Sequence, residues 1–191
     1  VNSPTLVNVN VTNCCRGIRL QDSTAMYVKD CSVYNISDNG IYFAAGDYKS
    51  TTGCNNSTID NCTVSLVGQT GLMNIGGANN TFKNCSVNNS RGAGAAIYNT
   101  NGNVTYDNCS FTNANTSETT TPWGGNTDDY SGAACGMSVE SGDTSANVVI
   151  SNSNFVSGSD SIFFKNSDVG TLTSDLNTFN YSSFPGGLAV S

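Results

Sequence analysis

The chain has 191 residues and a formal net charge of −7, with only seven lysines and arginines, which argues against a nucleic-acid partner because phosphate neutralisation needs basic side chains. It contains no histidine, which excludes His-based catalytic triads and His-ligated metal sites. No stretch approaches the roughly 20 apolar residues that a membrane-spanning helix needs.

A short motif recurs along the chain and reads KDCSV, DNCTV, KNCSV and DNCSF in its four clearest copies. The residues assigned to its shared column are Val7, Cys31, Cys62, Cys85, Cys109, Ser153 and Asn177. Most copies are 23–24 residues apart, and the two longer intervals indicate insertions near 47–54 and 114–134. Repeats of 20–50 residues are typical of solenoids.

Each unit contains three short runs with period-two alternation, separated by Gly, Asn and Asp, and this pattern predicts three strands per unit. The repeat therefore predicts an all-β chain: one right-handed parallel β-helix of about seven coils, forming a single domain over residues 1–191.

The motif also predicts two structural columns. Cys31, Cys62, Cys85 and Cys109 would stack as inward thiols that pack like small apolar side chains. The residue before each column position is often Asn, which tolerates the left-handed backbone of a sharp bend and can hydrogen-bond from coil to coil. The asparagines of this predicted ladder are Asn61, Asn84, Asn108 and Asn152.

Units such as NCTVSLVGQTGLMNIGGANNTFKNCSV resemble the parallel β-helix repeats of the pectin-lyase-like superfamily. That superfamily includes pectate lyases, polygalacturonases, epimerases, phage tailspikes and adhesins, so the resemblance implies a fold rather than an activity. SDNGI with Asp38, and SDSIFFK with Asp160 and Lys165, are similar to acidic motifs of polygalacturonases, but only one acid of the expected pair is present in SDSIFFK. Asp38 and Asp160 would lie four coils apart, about 19 Å along the axis, which is too far for paired-carboxylate catalysis.

Two surfaces are candidates for binding. Tyr42, Met73, Tyr98 and Phe163 are predicted to form an outward column on the third strand of successive coils, which could be a sugar platform, a protein interface or a surface covered by another segment. The second candidate is the insertion at 114–134, whose Trp near acids would suit carbohydrate or Ca²⁺ binding, or could be a solvated loop. Its residues of interest are Trp123, Asp128, Asp129 and Tyr130.

The terminal coils of a solenoid expose strand edges unless something caps them, and no capping helix is evident in the sequence. We therefore expect a homo-oligomer or larger assembly. The leading functional prediction is a non-catalytic extracellular or virion β-helix, such as a fibre, tailspike or adhesin segment, that recognises surface glycans. The alternative is a polysaccharide lyase or glycoside hydrolase acting on an acidic polysaccharide. No cofactor is expected, with Ca²⁺ the one ion that the composition would suit.

Overall fold

A computed structural model describes residues 4–46, 52–114, 135–140, 146–157, 160–165 and 169–181, in which twenty strands form three parallel sheets. The first sheet contains β1 (Thr5–Val7), β4 (Tyr27–Lys29), β7 (Thr58–Asp60), β10 (Asn80–Lys83), β13 (Gly102–Asp107), β16 (Ala146–Ser151) and β19 (Val169–Asp175). The second contains β2 (Asn10–Cys14), β5 (Ser32–Ile36), β8 (Thr63–Val67), β11 (Ser86–Ser90), β14 (Ser110–Ala114), β17 (Asn154–Ser157) and β20 (Thr178–Tyr181). The third contains β3 (Ile18–Gln21), β6 (Ile41–Ala44), β9 (Leu72–Ile75), β12 (Ala95–Tyr98), β15 (Cys135–Glu140) and β18 (Asp160–Lys165).

Each strand from β1 to β17 pairs in parallel with the strand three places further along the chain, so three consecutive strands make one turn of a β-helix. Seven strands in each of the first two sheets give seven coils, which confirms the fold that the repeat predicts. Among the described residues, no helix is long and apolar enough to cross a membrane.

The core lies inside the coils, and its inward column in the second sheet changes from aliphatic to aromatic side chains along the axis. In the second sheet, Val64 and Val87 are followed in the same column by Phe111 and Phe155, all at most 1% exposed. Tyr106 stacks on Phe82 with ring centroids 4.6 Å apart. Full burial of one such side chain stabilises the folded state by about 1.5–3 kcal/mol, so these buried side chains are a main source of stability.

The repeat cysteines form a continuous buried row. Cys31, Cys62, Cys85 and Cys109 are at most 2% exposed, and each thiol donates to the carbonyl two residues earlier, as Cys62 does to Asp60 at 3.2 Å. Hydrogen bonding with its neighbour Cys85, together with burial, raises the pKa of Cys62, so the thiol stays protonated. The first member of this row is Val9 rather than the expected Val7, because the Ser32 amide donates to the Val9 carbonyl at 2.9 Å. A shift of two residues keeps the same side of the strand, so the pattern alone did not distinguish the two valines.

The residue before each row position takes a left-handed backbone, with φ of 50° at Asn61 and 51° at Asn152. The amides do link successive coils, but only some bonds join asparagine to asparagine. Asn108 donates to Asn84 at 2.9 Å, whereas Asn84 donates to the Asp60 carboxylate at 2.8 Å and Asn152 to Asp107 at 2.9 Å. Carboxylates of the first sheet thus share the acceptor role in this ladder.

Candidate functional site

The predicted outward column is not exposed to solvent. Tyr42, Met73 and Tyr98 are 3%, 1% and 8% exposed, which favours the covered surface among the three alternatives over an open sugar platform or protein interface. They form a second apolar cluster, separate from the core inside the coils, together with Ala44, Ala45, Ile75 and Ala96. The alternation in the sequence shows which side of a strand a residue takes, but not whether the outer face of the sheet is itself covered.

Tyr98 also lies outside the column assigned to it. Met73 pairs with Tyr42 on one side and Ala96 on the other, whereas Tyr98 lies opposite Ile75, two residues further along the same face. The segment GAGAAI contains two pairs of a small residue followed by an apolar one, and either could occupy the start of the third strand. In the structure that position is taken by Gly94-Ala95 rather than by Ala96-Ile97.

Several other candidates can be placed only in part. Phe163 lies in β18, opposite Ser138 of β15, and its side chain falls outside the described residues. Trp123, Asp128, Asp129 and Tyr130 lie outside the described residues altogether, as does most of each predicted insertion.

The acids of the enzymatic alternative are not brought together. Asp38 precedes β6 and Asp160 begins β18, and three further strands of the third sheet separate β6 from β18. Lys165 ends β18 opposite Glu140. Asp38 instead forms an ion pair with Arg16, with Nε and Oδ2 2.8 Å apart, and accepts a hydrogen bond from Asn39.

A groove that the sequence did not suggest runs across the first four coils, along the bend between the second and third sheets. Its volume is about 860 Å³. The bend of each coil supplies part of its lining: residues 13–15, 35–37, 66–68, and 89 with 91. Successive bends are held in register by backbone hydrogen bonds, such as those from Ser37 to Cys14 and from Gly68 to Ile36. Gly68 is required at this bend because a Cβ there would lie only 2.1 Å from the Ser37 carbonyl oxygen.

A column of left-handed residues lines this groove. Asn13, Asn35, Leu66 and Asn89 have φ between 53° and 58°. Asparagine accepts this backbone readily, whereas for other L-residues it costs roughly 1–2 kcal/mol. Leu66 therefore carries local backbone strain, and its side chain is 42% exposed instead of packed into the core.

The polar groups around Leu66 come from neighbouring coils. Asn35 donates its amide to Asn13 at 2.7 Å, which orients both side chains along the groove wall. The guanidinium of Arg91 is exposed and has no ion-pair partner among the described residues, unlike Arg16. The groove thus combines one exposed leucine, a row of amides and a cation without an ion-pair partner among the described residues, where most other cations are paired with acids.

An apolar side chain flanked by amide donors and acceptors is a suitable surface for a sugar ring, whose CH groups can pack on Leu66 while its hydroxyls bond to the amides. The sequence held a signal for this column, since Asn13, Asn35, Leu66 and Asn89 recur at 22, 31 and 23 residues, close to the spacing of the cysteine row. In the part of the chain that the structure describes, no group of three or more cysteine or carboxylate side chains is placed to hold a metal ion.

A family model described as "Right handed beta helix region" matches residues 50–191, which is more than half of the chain. The chain belongs to the right-handed β-helix family. Among solved structures, this β-helix is similar to the A-module of mannuronan C-5 epimerase from Azotobacter vinelandii, with 12% sequence identity and a TM-score of 0.49. The match covers 96% of this chain and 56% of that chain, so the β-helix spans a little over half of the epimerase module. No curated protein matches its sequence.

Proposed function

We propose that this β-helix is a non-catalytic structural element of an extracellular or virion assembly, a fibre, tailspike or adhesin segment, and that it recognises surface glycans through the bend groove. The observation that carries the proposal is Leu66, an exposed apolar side chain on a left-handed backbone in an otherwise asparagine column. Unfavourable backbone conformations persist where the surrounding structure imposes them, and they concentrate at binding sites.

The groove geometry favours an extended ligand. Its lining comes from four successive coils, and stacked coils are about 4.8 Å apart, so a chain of sugar rings could lie across several bends at once. Asn89 and Arg91 would hydrogen-bond hydroxyl or carboxylate oxygens beside the ring that packs on Leu66.

A glycan array followed by calorimetry on the best ligand tests this proposal. Leu66→Ala removes most of the exposed apolar contact, and at about 25 cal/mol per Å² this should weaken binding by about 1 kcal/mol, or roughly fivefold. Arg91→Gln should weaken binding by a similar factor through loss of a charge-assisted hydrogen bond.

Leu176→Ala is the matched control, because Leu176 is also a left-handed leucine, 77% exposed, but lies in the last coil outside the groove. It should bind the glycan as the wild type does. Equal loss of affinity in the Leu66 and Leu176 variants, or no ligand on the array, would refute glycan recognition in the groove.

The proposal also predicts that the purified protein does not depolymerise pectin, polygalacturonate or alginate. Asp38 is held in an ion pair with Arg16, and three strands of the third sheet separate β6, which follows Asp38, from the strand of Asp160, so the two acids are not placed to act as a pair. Product formation that disappears in Asp38→Asn or Asp160→Asn would instead establish the alternative, a polysaccharide lyase or glycoside hydrolase.

A further inference from the structure

The seven described strands of the second sheet contain no charged residue. The strands of the other two sheets do carry charge, such as Lys29 and Asp60 in the first sheet and Arg19 and Glu140 in the third. In a chain with a net charge of −7, one sheet of the β-helix is therefore electrically neutral along its described length. A neutral sheet attracts no charged ligand, and it does not penalise the approach of an uncharged one.

The outer side of this sheet in the middle coils, the neutral face of the molecule, carries mostly short polar side chains. Val64 of β8 points inward and is 1% exposed, so alternation places its neighbours Thr63 and Ser65 on the outer side. The hydroxyls of Thr63 and Ser65 form no hydrogen bond with another residue in the described part of the chain, so they can bond to a ligand. The column that passes through Ser65 from coil to coil consists of Tyr34, Ser65, Asn88 and Thr112.

Tyr34 is the aromatic member of this column, and its side chain is 49% exposed in the middle of β5. It lies opposite Ser65, which immediately precedes Leu66, so Tyr34 and Leu66 are diagonal neighbours on adjoining coils. Each is a large side chain with an apolar body that the fold leaves exposed among uncharged polar groups. The arrangement that suits one sugar ring at Leu66 is therefore repeated one coil away, where the phenol ring of Tyr34 can stack on the CH groups of a second sugar.

The neutral face and the bend groove are continuous with each other. Asn35, Leu66 and Asn89 line the groove, and each directly follows a member of the Tyr34 column in sequence. A ligand that lies in the groove therefore has the Tyr34 column along one side. Among the described residues that line the groove, Arg91 is the single charged one, and its guanidinium can donate to sugar hydroxyls as well as to a carboxylate.

We propose that the glycan recognised by this protein is uncharged, and that it extends from the bend groove onto the neutral face, with one sugar ring packed on Leu66 and a neighbouring ring stacked on Tyr34. The inference rests on the glycan recognition proposed above and adds the class of glycan and a second contact. An acidic polysaccharide needs cations at intervals along its path, whereas the groove lining supplies one and the strands of the neutral face supply none. The net charge of −7 also repels a polyanion, but it has no such effect on a neutral chain.

Calorimetry with neutral and acidic hexasaccharides tests the class of ligand. The neutral probes are β-linked oligomers of glucose, mannose and N-acetylglucosamine, and the acidic probes are oligogalacturonate and oligomannuronate. At least one neutral oligomer should bind more tightly than either acidic one, and its affinity should change by less than about twofold between low and high salt, because no ion pair is screened. Tyr34→Ala should weaken that binding by about three- to tenfold, whereas Tyr34→Phe keeps the ring and should remain within about twofold of the wild type.

Two matched controls use the first sheet. Tyr27→Ala removes a tyrosine from the same coil as Tyr34 but from β4 of the first sheet, and it should bind the neutral oligomer as the wild type does. Ser65→Lys adds a cation opposite Tyr34 and should shift the preference of the protein toward the acidic oligomers. Thr105→Lys adds the same charge to the outer side of the first sheet and should leave the preference unchanged. Circular dichroism checks that each variant is folded.

Tighter binding of an acidic oligomer, or a neutral ligand whose affinity Tyr34→Ala does not change, would overturn this inference. Glycan recognition in the groove would still stand if Leu66→Ala weakened the binding. For a ligand found only on the glycan array, its charge decides in the same way, and an array without any ligand removes both proposals. Sedimentation velocity tests the remaining occupant: a wild-type dimer that Tyr34→Ala dissociates would mean that a second copy of the chain covers the neutral face, which would also overturn the inference.

Discussion

Replacement of Leu66 by Asn or by Ala separates the cost of its backbone from the value of its side chain. Both substitutions remove the leucine contacts, but only asparagine suits a left-handed backbone and can join the amide column between Asn35 and Asn89. Relief of the left-handed strain contributes roughly 1 kcal/mol, and one additional amide hydrogen bond contributes about 0.5–1 kcal/mol. We therefore expect the Asn variant to be about 1–2 kcal/mol more stable than the Ala variant.

Equilibrium urea unfolding measures the difference directly, and for a chain of this size each kcal/mol corresponds to roughly 2–4 °C in melting temperature. Tyr34 provides the control, because it is an exposed strand residue without a left-handed backbone, and there Asn should be no more stable than Ala. Both Leu66 variants should lose glycan affinity, so Leu66→Asn should recover stability without recovering binding. Equal stability of Leu66→Ala and Leu66→Asn would contradict this expectation, since the leucine backbone would then carry no strain.

Three further predictions concern the core and the outer face of the first sheet. Iodoacetamide at pH 8 should label Cys14 and Cys15 in the native protein, as read by mass spectrometry, while the described buried cysteines react only on unfolding. The reason is that the hydrogen bond with Cys109, together with burial, outweighs the opposite effect of Cys62 and raises the pKa of Cys85 to about 12. Early labelling of the buried row would show that it is accessible. Tyr106→Phe should preserve stability or raise it by up to about 1 kcal/mol, because the buried Tyr106 hydroxyl has no hydrogen-bond partner among the described residues; a loss above 1 kcal/mol would reveal one. Burial raises the pKa of Asp60, but hydrogen bonds from Tyr27, Asn84 and Lys83 outweigh the effect of burial and lower the pKa overall. The contribution of Asp60 to stability is therefore present above the unfolded-state pKa and is lost as the pH falls from about 5 to 3. Asp60→Asn should flatten that acid-induced loss, and an unchanged pH profile would contradict the assignment.

The repeat itself was sufficient to predict the coil, the buried thiols and the left-handed asparagines. Period-two alternation assigns each residue to a side of its strand, and a motif repeated every 23–24 residues places equivalent positions in one column. Two assignments were nevertheless displaced by two residues, at Val7 and Tyr98, because such a shift leaves every side chain on the same face and therefore conserves the hydrophobic pattern.

The binding surface depended on tertiary structure. Whether the outer face of the third sheet is open depends on what packs over it, and no local pattern encodes that. The sequence therefore left open whether Tyr42, Met73 and Tyr98 form an exposed or a covered column, and only the structure shows that they are buried. The groove is the reverse case, because the sequence did not suggest it and the structure shows it. Its column residues are 22–31 apart in sequence, and only coil stacking brings Asn13, Asn35 and Leu66 side by side. Alternation and spacing are local properties that a sequence displays directly, whereas the burial of an outer face and the shape of a groove depend on which distant segments meet, and that is decided only when the chain folds.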